Sequence, residues 1–296
     1  MRTMSSRTLA ALALLTAVGC GAPAPADRPA PAAGGAIATL DALTAAVASG
    51  AVSVVDLTQP LDEATPIISL PPPFANTPGF SRTLLSNFDE QGPAWYWNAM
   101  AFGEHVGTHF DAPCHWISGR DLACVDTIAP DQFIGPAAVI DVTAEVRENP
   151  NFVVTRQTLL DWEGEHGRIP DRAWVILRTG WGERAADAGR FFNVGENGAP
   201  RYPGFGLESA EFLTSERNVL GVGTEAVGTD AAVGATADPP FPNHFTMHGA
   251  GKSGLTQLAN VDRLPATGAV VIATPLKIER GSGSPVRVIA LVPSGS

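Results

Sequence analysis

The stretch GEHVGTHFDAPCHW, residues 103–116, sets His105, His109, Asp111 and His115 within eleven positions of a 296-residue chain that has six histidines in all. Two imidazoles and one carboxylate, with coordination positions left open, are the ligand set of a catalytic Zn2+, Mn2+ or Fe2+ centre, not of a closed structural one. Spacing alone does not bring these groups together. On a helix, His105 and His109 would share a face, but Asp111 would lie well round from them. On a straight strand all four would point the same way, yet about 3.3 Å per residue would leave His105 and His109 roughly 13 Å apart, too far for one ion. A shared ion therefore requires a bent backbone, and Gly107 and Pro113 are the residues that permit one. The bland alternative is a loop that carries histidines by chance, and three histidines with an aspartate in one short stretch weigh against it.

The elements that must position this segment alternate between two periodicities. SVVDLT (53–58) is a short β-branched run, and AAVIDVT (137–143), AWVILRT (173–179), VLGVGT (219–224), GAVVIATPL (268–276) and VRVIALV (286–292) read as buried strands. LDALTAAVASG (40–50), TRQTLLDWEGEHG (155–167) and LESAEFLTSER (207–217) have helical spacing, with Thr155 as an N-cap and Gly50 and Gly167 as stops. With no repeat and no second linker, residues 37–296 are expected to form one α/β domain around a mixed sheet. TPIISLPPPFANTPGF (65–80) holds five prolines and is expected to be an extended surface loop. In PAWYWNA the alternating rings suit half-buried strand packing, or Trp95 and Trp97 wall an aromatic substrate pocket. His248 lies four residues after His244, on the same helical face if that segment is a helix, and His166 sits in a polar surface turn.

Composition excludes several classes. Acids outnumber bases 30 to 19, giving a formal charge of −11 and a pI near 4.9, the wrong sign for displacing phosphate counterions, so nucleic acid is not expected as a partner. GAGKS (249–253) lacks the earlier glycine of a phosphate-binding loop, since position 246 is Thr246, and no Gly-x-Ser-x-Gly elbow occurs.

The leader MRTMSSRTLAALALLTAVGC has two arginines followed by an apolar run from Leu9 to Val18, which is an export signal too short to span a bilayer. AVGC resembles a bacterial lipobox, so residues 1–19 are expected to be removed and Cys20 to take lipid. The mature chain would then sit on the periplasmic side of a bacterial membrane, touching it only through this anchor. Residues 20–36, rich in Pro and Ala, read as a tether. In an oxidising compartment Cys114 and Cys124 could pair, or they are two buried small hydrophobes, and their spacing does not decide between these.

The segment HVGTHFDAPCH fits His-x-Gly-Thr-His-x-Asp-x-Pro-x-His and resembles the cyclase family, whose members include bacterial kynurenine formamidases and isatin hydrolases. The similarity continues in WISGRD (116–121), VGTDA (227–231), PPFPNHFTMHGAG (239–251), LANVDRLP (258–265) and PLKIERGSGSPVRVIALV (275–292). It implies an α/β domain of the swivelling β/β/α type, usually in homodimers or homotetramers, in which His105, His109 and Asp111 bind metal and His115 transfers protons. One departure matters: two-metal formamidases use a further histidine, matched by His244, and a glutamate twelve positions later, where this chain has Thr256 followed by Gln257. The resemblance with this departure implies one Zn2+ or Mn2+ per chain, and leaves His244 beside the ligands, in contact with substrate, or serving a second metal. The expected chemistry is metal-assisted hydrolysis of a small amide, formamide or lactam. The alternative is a tethered lipoprotein that captures metal or small ligands without turnover.

Overall fold

The computed structural model describes residues 33–70, 74–196 and 198–295. The export signal, the Cys20 lipobox and the tether up to residue 32 lie outside the described residues. The first described element, α1 (Ala33–Ser49), starts inside the stretch expected to be a tether, which is rich in alanine, the best helix former. It stops at Gly50, whose φ of +76° suits a glycine C-terminal stop.

Residues 45–296 make one compact unit. Its first half carries β1 (Val52–Asp56), β2 (Ser81–Asn87), β3 (Tyr96–Ala101), β4 (His109–Asp111), β5 (Ile134–Asp141), α2 (Thr143–Glu148), β6 (Val153–Val154), α3 (Arg156–His166) and β7 (Trp174–Arg178). The second half carries α4 (Ala188–Phe192), β8 (Gly204–Phe205), α5 (Leu207–Ser215), β9 (Gly221–Thr224), α6 (Pro242–Gly249), β10 (Ser253–Thr256), β11 (Val270–Ala273), β12 (Gly283–Pro285) and β13 (Val288–Pro293). Nine of these strands form one mixed sheet in the order β1-β13-β11-β5-β7-β9-β10-β4-β12. The centre, β5 to β10, is parallel because helices cross over between successive strands, and both flanks are antiparallel.

Period-two alternation divides the core between the two faces. Ala138, Ile140, Val175 and Leu177 pack with Leu159, Trp162, Phe212 and Met247 from α3, α5 and α6. Their neighbours Ala137, Val139, Trp174 and Ile176 point the other way and share a cluster with Val292 and Val55 from one end of the sheet and Phe110 and Leu255 from the other. Thr155 caps α3 by accepting from the Thr158 backbone N–H, as its sequence position predicts.

The hairpin of β2 and β3 corrects one expectation. Trp95 and Trp97, 5.5 Å apart between ring centroids, are 47% and 55% exposed, more open than packed strand residues, and line no part of the cavity at the histidine cluster. Alternating aromatics predict the strand, but no described element covers that face.

Candidate active site

The bend demanded by the histidine spacing is present. Gly107 adopts φ +61°, a left-handed conformation open to glycine, and turns the chain between His105 and β4. The His105 and His109 rings consequently stand 5.2 Å apart, edge to face. On β4, His109 and Asp111 point to the same side while Phe110 enters the core. β10 and β12 pair with β4 from either side, with Thr256 in register with His109.

Asp111 is buried and organises the site. Its Oδ1 lies 2.7 Å from His105 Nδ1 and 3.3 Å from His109 Nε2. Burial alone would raise its pKa, but the charges and hydrogen bonds of His109 and His105 overcome that and hold the carboxyl well below its ordinary range. The other nitrogen of His109, Nδ1, faces the Gly107 carbonyl at 2.8 Å, a partner that fixes the ring and leaves Nε2 pointing at Asp111. One donor atom from each of His105, His109 and Asp111 lies within 4.8 Å of the others, so these residues fit a divalent ion. Gln257, at φ +53°, adds a buried side-chain oxygen without a protein partner to the same wall.

His115 follows β4 in the turn Pro113–His115 and stacks on His105 at 3.9 Å between centroids. Burial first, and then the neighbouring His105, push its pKa well below the ordinary imidazole value. Its ring is therefore neutral at neutral pH.

Helix α6 brings His244 to the same place. His244 Nδ1 meets Asp230 Oδ2 at 2.5 Å and its Nε2 lies 3.9 Å from Asp111 Oδ2. Burial disfavours its charge, but the Asp230 hydrogen bond and the Asp230 and Asp111 charges outweigh that and raise its pKa. His248, one turn on, gives its Nδ1 to the Lys252 carbonyl at 2.9 Å and keeps a buried, unpartnered Nε2. Asp111, His244 and His248 form a second group of potential ligands. His166 instead packs on Trp162 at the end of α3 and lines no part of the site.

These side chains form the polar end of a cavity of about 240 Å³. Its apolar walls include Ile68, Leu70, Trp116, Tyr202 and Phe241, with Trp116 5.6 Å from Phe241 and 4.8 Å from His244 between centroids. An apolar cavity of about 150 Å³ holds a benzene ring, so this one suits a somewhat larger aromatic molecule. The proline-rich loop is thus more than surface connection. Cys114 and Cys124 are bonded, with Cα atoms 5.2 Å apart, and their loop contains His115 and Trp116. Asp230, Gln257 and the apolar wall went unforeseen, because their partners are distant in sequence.

The "Putative cyclase" family model matches residues 55–231, more than half of the chain. The protein is a member of the cyclase family. Isatin hydrolase of Roseibium aggregatum is 46% identical over 257 residues, 86% of this chain and 97% of that protein. A crystal structure of an isatin hydrolase bound to the product analogue thioisatinate superposes with a TM-score of 0.85 at 45% identity, covering 88% of this chain and 99% of that one. Kynurenine formamidase of Paracidovorax citrulli is 27% identical over 242 residues, 79% of this chain and 96% of that protein. Within this cyclase family the chain is a metal-dependent hydrolase of carbon–nitrogen bonds other than peptide bonds.

Proposed function

We propose that this cyclase-family protein hydrolyses the lactam C–N bond of a small aromatic substrate of the isatin type. The observation that carries the reading is a small aromatic-walled cavity ending on His105, His109, Asp111 and His115. The 46% identity to isatin hydrolase favours a lactam over a formamide. Trp116 and Phe241 hold the ring, and the polar end receives the carbonyl. His105, His109 and Asp111 would hold a divalent ion, Zn2+ or Mn2+, which when bound would supply Lewis acidity for the hydrolysis. His115 accepts the proton of the attacking water and returns it to the leaving nitrogen. Water oxygen bonds to the carbonyl carbon, the C–N bond breaks, and the ring-opened product keeps its carboxylate and amine in one molecule.

The second ligand group brings no carboxylate beyond Asp111, so we place one tightly held ion in each chain. We further propose that the chain is exported and lipid-anchored through Cys20 on the periplasmic side. The exposed hairpin side chains Leu84, Leu85, Trp95, Trp97 and Met100 support assembly as a homodimer or homotetramer. The experiment is a turnover assay of the purified protein with Mn2+ or Zn2+ on isatin and on N-formylkynurenine. Faster ring opening of isatin supports the reading. Preference for the formamide would reassign the substrate, and no hydrolysis of either would refute it.

A further inference from the structure

The segment that leads into β12 opposite the first proposed metal ligand reads Gly281, Ser282 and Gly283, so that one small polar side chain stands between two glycines. A Cβ on Gly283 would come within 2.5 Å of His105 Cε1, and one on Gly281 within 3.1 Å of Glu104 Oε1. Only Ser282 can therefore put a side chain between Glu104 and His105. Its hydroxyl lies 2.9 Å from His105 Nε2 and donates to Glu104 Oε2 at 2.5 Å, while its backbone N–H points at the same oxygen, 3.3 Å away. Its carbonyl in turn accepts from the Ala112 N–H at 2.9 Å, which ties this segment to the residue after β4.

The direction of these hydrogen bonds assigns the two nitrogens of His105. The Ser282 proton is committed to the Glu104 carboxylate, so the hydroxyl oxygen can only accept from the imidazole and Nε2 must carry a hydrogen. The remaining nitrogen, Nδ1, is the one that faces Asp111 Oδ1 at 2.7 Å. His109 is arranged the opposite way, with Nδ1 against a carbonyl and Nε2 toward the carboxylate. Each ligand thus has one nitrogen for the ion and a fixed partner on the other.

We propose that Glu104 and Ser282 are positioning residues, a relay that holds His105 as a metal ligand through Nδ1 and sets how tightly the site binds its ion. A carboxylate behind a ligand histidine strengthens the imidazole as a donor, and removing such partners costs metal affinity by about 10-fold to 100-fold. Here the carboxylate acts through an intervening hydroxyl. This inference rests on the metal-site reading above.

The test measures the Mn2+ dissociation constant, by competition with a chelator, for the wild type and for Ser282→Ala, Glu104→Gln and the double variant. The expected result is a loss of about 10-fold to 100-fold for Ser282→Ala, a smaller loss for Glu104→Gln, and a double variant no worse than Ser282→Ala. Unfolding of the metal-free Glu104→Gln protein, monitored separately, shows that its fold is intact. Wild-type affinity in both single variants would overturn the relay, as would losses that multiply in the double variant. A wild-type chain that binds no Mn2+ would overturn the metal-site reading and the relay together.

Discussion

His115 lies over His105 with ring centroids 3.9 Å apart and planes inclined by 32°. One ring faces Asp111, where the proposed ion would bind, while the other is held neutral beside it by burial. Two histidines ten residues apart thereby meet different surroundings in one bent segment, which is what the proposed division into a ligand and a proton carrier requires.

His248 makes acid stability measurable. Burial, with the charge of His244, lowers its pKa to about 4, against about 6.5 in an unfolded chain. Between those values the unfolded chain binds a proton that the folded chain excludes, so stability falls as pH drops through the window and is fully present above it. The contribution is about 3 kcal/mol at an order-of-magnitude level. His248→Gln, unfolded by urea in the presence of chelator, should show a flatter loss of stability between neutral pH and about pH 4.5 than the wild type. Parallel curves for the two proteins would contradict the assignment.

The disulfide should matter to both stability and turnover. Cys114 and Cys124 close a ten-residue loop around His115 and Trp116, and such a crosslink contributes about 2 to 3 kcal/mol. Cys114→Ser should lower the unfolding midpoint and reduce kcat while the ion stays bound. Wild-type kcat in the variant would show that the loop is held without the crosslink.

Much of the fold is readable in the chain, and the reasons differ by element. β5 and β7 announce themselves because both faces are buried, which gives continuous apolar runs such as AAVI and WVIL. β4 and β12 do not, since three residues of His-Phe-Asp or Gly-Ser-Pro carry no periodicity. Gly107 betrays the bend because the ligand spacing makes no sense without it. Asp230 gives no such sign, as its hydrogen bond to His244 spans fourteen residues. Trp95 and Trp97 mislead because alternation identifies a strand but not what covers it.

Membrane attachment is tested through Cys20. In cells the wild type should incorporate labelled fatty acid and partition with membranes, and Cys20→Ser should lose both. A wild type recovered wholly soluble and unlabelled would contradict the anchor.

The most direct measurement of the central claim is the metal content and lactam-hydrolysing kcat of His115→Ala. The account predicts one ion per chain and a kcat lower by about 10²-fold to 10⁴-fold, the amount general acid and base catalysis supplies. A variant that keeps its ion and an undiminished kcat would contradict it, and loss of the ion along with activity would make His115 a ligand instead.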